Sequence, residues 1–222
     1  MDMDENTLKK LNSTKRLSKF IDIYHKRNGS LTNELNDVSA ALKEENAAWE
    51  GAYVPGMQIF ITGPAALGGA CLLLKYHRDR LEKHFSNAFL KNAESKLALQ
   101  ETAFGSDFLS IPVAEQGISG ALFALGKLAG LGFTIDSWKI PVIQEVTEIC
   151  EYFQLNPYQL LSGSCHLLLA NASYDPYPDT GLTRIGHLTA SPEKVIVHGG
   201  TKALLNRPGP DEYLKILKES LK

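Results

Sequence analysis

Residues 59–74 read IFITGPAALGGACLLL. Apolar strand-formers meet a glycine-rich turn, and the turn opens into an apolar helix. A strand handing over to a helix through such a turn places the chain among α/β domains. The turn also has the composition of a phosphate cradle. A helix start offers unpaired N–H groups and partial positive charge, and glycines let an anion approach the backbone. The nucleotide-binding loop, however, needs Lys and then Ser or Thr after its second glycine. Gly69 and Ala70 stand there instead. Gly63, Gly68 and Gly69 are therefore weak anion-site candidates beside a plainer reading, tight packing of helix on strand.

Working outward, the chain has 222 residues, 44% hydrophobic and 22% charged, which permits a packed core. A formal net charge of −2 gives no field for nucleic acid or an anionic membrane. The start, MDMDENTLKKLNS, has no apolar core of a secretory signal, and no apolar run reaches the roughly 20 residues needed to span a bilayer. Cys71, Cys150 and Cys165 are far apart and sit in apolar runs. They are expected to be buried free thiols in a cytoplasmic protein.

Residues 1–50 read as a helical extension. Leu17, Phe20, Ile21 and Tyr24 share one helical face, and Leu35, Val38 and Leu42 share another. An α/β domain is expected over 51–222. Its predicted elements are a strand at 57–61 and helices at about 66–84 and 86–100. An irregular stretch at 105–112 precedes a small-residue helix at 117–129. A strand at 133–138 and a helix at 142–153 come next, then strands at 165–170, 182–188 and 194–198. A last helix opens at Pro210.

Four segments in this order carry a resemblance: YVPGMQIFITGPAALGGACLLLKY, AEQGISGALFALGKLAGLGFTIDSWKIPV, EVTEICEYFQLNPYQLLSGSCHLLLA and LLNRPGPDEYLKIL. Together they resemble the C-terminal domain of the AIR synthase-related (PurM-like) family, nearest to the branch of the hydrogenase-maturation carbamoyl dehydratase. The resemblance implies a three-layer α/β/α domain with partial ferredoxin-like topology. It also implies a missing neighbour. In the family, a preceding domain binds ATP and magnesium, and residues 1–50 are too short for it and wrongly patterned.

Three departures bear on chemistry. The family's Asp-x-Thr-x-Gly-Gly signature is replaced by Pro112, Val113, Ala114, Glu115, Gln116 and Gly117, of which only the last glycine survives. The chain ends Glu219, Ser220, Leu221, Lys222, without the terminal cysteine of the dehydratase. The family helix between the strands at 165–170 and 182–188 has no room in NASYDPYPDTG.

Further ligand candidates are Glu115, Gln116, Gly117 and Ser119, which in the family's frame line the cleft facing ATP. A carboxylate at Glu115 is also simply favourable at a helix start. Gly199, Gly200 and Lys202 could form a backbone nest for an anion, or a plain turn. The histidines lack zinc spacing, and Cys165 and His166, adjacent on a strand, point to opposite faces. No catalytic or metal-ligand set emerges. The sequence thus leads to a stand-alone, non-catalytic protein acting by binding or assembly, with no cofactor. Its expected partners are a second copy or a separate ATP-binding-domain protein. The rival readings are an ATP- and magnesium-dependent enzyme completed by a separate subunit, and a sensor of phosphorylated metabolites.

Overall fold

A computed structural model of the chain describes residues 53–97, 108–163, 165–176 and 180–220, with side chains to residue 216. The predicted 1–50 extension and its two helices lie outside the described residues.

Among the described residues, seven strands form one sheet in the order β2-β4-β1-β5-β3-β6-β7. They are β1 (Gln58–Ile61), β2 (Leu109–Val113), β3 (Gly132–Asp136), β4 (Cys165–Ala170), β5 (Thr183–Thr189), β6 (Lys194–His198) and β7 (Thr201–Leu204). Only β3 and β6 pair in parallel; the other neighbours are antiparallel. The helices are α1 (Leu67–Tyr76), α2 (Arg78–Glu82), α3 (Asn87–Lys96), α4 (Gly117–Ala129), α5 (Gln144–Tyr152) and α6 (Tyr213–Ser220). Short 3-10 turns lie at Ser137–Lys139 and Pro157–Gln159. This is the mixed α/β architecture that the sequence predicts.

The central strands β1 and β4 are mostly apolar and buried from end to end, with polar Gln58 in β1 and half-buried His166 in β4 as the exceptions in character or burial. One face of the sheet carries Ile59, Ile61, Ile111, Val113, Phe133, Ile135, Leu167 and Ile185, and α4 covers it. Ile118, Ala121, Leu122 and Leu125 supply the covering stripe at helical spacing. Each buried Leu or Ile side chain there contributes roughly 1.5–3 kcal/mol of transfer free energy. A second core unites α1, α2, α3, α5 and α6 around Leu72, Leu73, Leu90, Ile149 and Tyr213. It gathers at one end of the sheet, because β1 and β3 leave their C-termini there and β4 enters there, as the pairing registers require. The three cysteines are free and buried, and burial pushes each thiol up to about 12.

Several elements differ from expectation. The stretch predicted to be irregular ends in a strand, β2, whose Leu109, Ile111 and Val113 face the core side. Pro112 hides it in sequence, yet an edge strand tolerates proline because one flank of its ladder is unpaired. The other edge strand, β7, follows Gly199 and Gly200, and all four of its residues are exposed. The long helix predicted at 66–84 breaks at His77, whose φ of −126° is not helical. The last helix starts at Tyr213 rather than Pro210, because the Asp211 side chain accepts from the Tyr213 N–H at 3.0 Å and acts as its cap.

Candidate functional site

The glycine-rich turn is occupied by the chain's own oxygen atoms. Ala66 takes a left-handed conformation before α1. Its N–H donates to Ser162 Oγ at 2.6 Å. The Gly68 N–H donates to the Ser162 carbonyl and the Gly69 N–H to the Leu161 carbonyl, each at 2.8 Å. These are the helix-start donors that an anion would need. A Cβ on Gly69 would stand 2.3 Å from Leu160 Cγ, so the glycine permits close approach of the 160–162 segment. Gly63 is half-buried, with open space around the position of a Cβ.

The second candidate turn meets the same segment. Gln116 is left-handed (φ 62°), and its N–H donates to Asp211 Oδ2 at 2.7 Å. Gly117 also has a positive φ of 55°, and a Cβ there would stand 2.6 Å from the Leu160 carbonyl oxygen. That contact leaves no room for a side chain at this position. Ser119 is buried and Glu115 half-buried. Asp211 was not among the expected site residues. Its signal was its place two residues before a helix start, a capping position. Burial pushes its carboxyl up to about 7 against the pull of the Tyr213, Gln116 and Leu161 amides, and the nearby Glu115 charge pushes the same way. The structure thus brings the 63–69 and 115–119 turns together on residues 158–162.

Gly199 and Gly200 lie apart from them, in the tight turn of the β6–β7 hairpin, with φ of 53° and 85°. Positive φ at both central residues is the geometry that matches strand twist. The turn packs on exposed Trp138, whose indole N–H donates to His198 Nε2 at 3.3 Å. Lys202 pairs directly with Val197, and Val197 with Asp136. That cross-strand row leads to a feature the sequence did not disclose.

Among the described residues, the sheet face opposite α4 is only partly covered. Phe108, Tyr174 and Leu182 shield Phe60, Leu168 and Ala170. Beside them a cleft of about 480 Å³ opens, with Gln58, Thr134, Asp136, Lys139, Arg184 and His187 in its wall. Gln58 is nearly buried, and its amide nitrogen donates to the carbonyls of Ala172 (2.6 Å) and Tyr174 (2.9 Å). Its amide oxygen accepts from the Arg184 guanidinium at 3.1 Å. Across the cleft, Asp136 Oδ1 accepts from the Trp138 N–H at 3.1 Å, and Lys139 Nζ lies 3.9 Å from Asp136 Oδ2. Among the described residues, no group of three or more His, Cys, Asp or Glu is arranged to hold a metal ion. No described helix is long and apolar enough to cross a membrane.

No family model matches the sequence. A thiamine-monophosphate kinase of Methanopyrus kandleri is 25% identical over 140 residues, covering 61% of this chain and 44% of that protein. Among solved structures, HypE of the HypE–HypF complex superposes with a TM-score of 0.52 at 19% identity, over 70% of this chain and 54% of that one. E. coli HypE, a hydrogenase maturation protein, gives 0.53 at 15% identity, over 74% and 54%. HypE in complex with ATP gives 0.52 at 17%, over 72% and 53%. The chain spans less than half of the curated relative and about half of these HypE chains. At such identities the likeness is one of fold: this chain has the architecture of about half a HypE molecule.

Proposed function

We propose that this chain is a counterpart of the AIR synthase-related C-terminal domain, acting by binding or assembly and not as a catalyst. One observation carries the reading. At the two candidate turns that open helices, N–H groups donate to internal acceptors: those of Ala66, Gly68 and Gly69 to Leu161 and Ser162, and that of Gln116 to Asp211. An anion would have to displace buried hydrogen bonds, and leaving such groups unpaired costs about 1–3 kcal/mol each. The partner is a second copy of the chain or a separate ATP-binding-domain protein.

A second reading has its own support. The similarity to a thiamine-monophosphate kinase and to HypE in complex with ATP favours an ATP- and magnesium-dependent enzyme completed by another subunit. Calorimetric titration with ATP, with and without magnesium, separates the two. The binding-module reading expects no magnesium-dependent binding of ATP by the chain. Tight, magnesium-dependent binding would overturn it in favour of the enzyme.

A further inference from the structure

We infer that the open-face cleft is a binding site for a small anion with a phosphate or carboxylate head, held by Arg184 and Lys139. The inference stands on the cleft that the described residues leave on this sheet face and does not depend on whether the chain is catalytic.

Arg184 is placed, not merely present. Gln58 is fixed by two backbone carbonyls and turns its remaining acceptor to the guanidinium. Among the described residues the guanidinium makes this one hydrogen bond, so its other donors remain for a ligand. A guanidinium presents its donors in a planar fork that matches carboxylate and phosphate oxygens. Lys139 is the second cation of the cleft, and its link to Asp136, at 3.9 Å, is long for a hydrogen bond. Two cations against one carboxylate leave the cleft net positive, in a chain whose overall charge is negative.

The strand register explains how these groups meet. Ile59 pairs with Gly186 but Phe60 pairs with Arg184, so Ile185 is bulged out of the ladder. Ile185 is buried on the α4 side. Arg184 and His187, three residues apart, therefore both reach the open face, where simple alternation would place them on opposite sides. Thr134 pairs with His187 and shares that face. The volume suits a compact ligand, since small-molecule sites run from roughly 300 to 1,000 Å³. Thr134 and Asp136 can accept from a hydroxyl or amine beside the anionic head.

The test is titration of the full chain with inorganic phosphate and, separately, with malonate. The readout is the emission of Trp138, which adjoins the cleft through Asp136; a Trp49→Phe background removes the other indole. We expect a saturable change with at least one of the two anions, and the responding anion identifies the head group. Arg184→Ala should weaken binding at least tenfold, and Lys139→Ala should weaken it less. Lys91→Ala, a surface charge on α3, should leave it unchanged. Circular dichroism establishes that each variant is folded. Should Arg184→Ala fail to fold, Gln58→Met, which releases the guanidinium from its anchor, should weaken binding in the same titration. No saturable response to either anion would overturn the inference. So would equal effects of the Arg184 and Lys91 variants.

Discussion

The Asp211 carboxylate joins two helix starts that are far apart in sequence: Oδ2 accepts from the Gln116 N–H at 2.7 Å, and Oδ1 from the Tyr213 N–H at 3.0 Å. One side chain thus fastens the C-terminal helix α6 to the turn that opens α4. Removing it by Asp211→Ala strands both donors in a buried place. The expected loss is roughly 2–4 kcal/mol, the sum of two caps. Chemical denaturation of the purified variant measures it.

The same carboxylate predicts a pH dependence. Its pKa is raised by burial from an ordinary 3.8 to about 7. The folded state therefore holds a proton that the unfolded chain releases. Its stabilising share is complete below the unfolded pKa, declines as pH rises between these values, and is lost above about 7. Wild type should lose stability relative to Asp211→Asn when denaturation midpoints at pH 5 and pH 8 are compared. Parallel behaviour of the two proteins would refute the assignment.

Glu145 should show the opposite sign. It is buried at the start of α5, and its Oε1 accepts from Lys96 Nζ and Asn92 Nδ2 of α3, both at 2.6 Å. The Lys96 hydrogen bond, foremost, holds its carboxyl below the usual range, against desolvation. This contribution is present above the unfolded pKa and disappears as pH falls through the lowered one. Glu145→Gln should be destabilised at pH 7 by about 1–3 kcal/mol, and the gap to wild type should narrow in acid. Thermal melts from pH 7 down to pH 3 follow the gap directly.

Gly69 tests the packing of the glycine-rich turn. Alanine there would drive a methyl group into Leu160, which is fully buried. Overpacking of this kind costs about 1–3 kcal/mol. Leu160→Ala alone leaves a cavity and costs about 2–5 kcal/mol. In the double variant the new methyl occupies part of the vacated space. The combined loss should fall short of the sum by at least about 1 kcal/mol. Additive losses would mean that the two residues do not share one contact.

These tests also mark what was legible in the sequence. The strands at 57–61 and 165–170 could be read because they are buried on both faces, and apolar runs broken only by Gln58 and His166 record that directly. The small-residue helix could be read because Ile118, Leu122 and Leu125 repeat at helical spacing. The edge strands could not: β2 carries a proline, and β7 has no buried residue to leave a pattern. The cleft was out of reach for a different reason. Gln58 and Arg184 lie 126 residues apart and meet only through strand pairing, and neither has neighbours that spell a motif. Asp211 looked like part of a helix because Pro210 offered an earlier start, and its real partner, Gln116, is 95 residues away. Local periodicity records burial; it carries no trace of polar contacts made across the sheet.

Gly186 is where the fold and the cleft depend on one atom. It sits in the β5 bulge, paired with Ile59 on one side and Ile135 on the other. A Cβ there would lie 2.1 Å from the Thr134 carbonyl oxygen and 3.0 Å from Ile135 Cα. Both obstacles are backbone in a central strand, so neither can swing aside as a side-chain tip would. Gly186→Ala must then either part β3 from β5 or remove the bulge. Parting the strands breaks ladder hydrogen bonds at the middle of the sheet, with an expected loss of about 3 kcal/mol or more. Removing the bulge shifts the register by one residue and turns Arg184 toward the core, where an unpaired guanidinium is more costly still. Either route should lower the denaturation midpoint and abolish the anion response of Trp138 together. A stable Gly186→Ala protein that still binds phosphate or malonate would show that the bulge does not place Arg184.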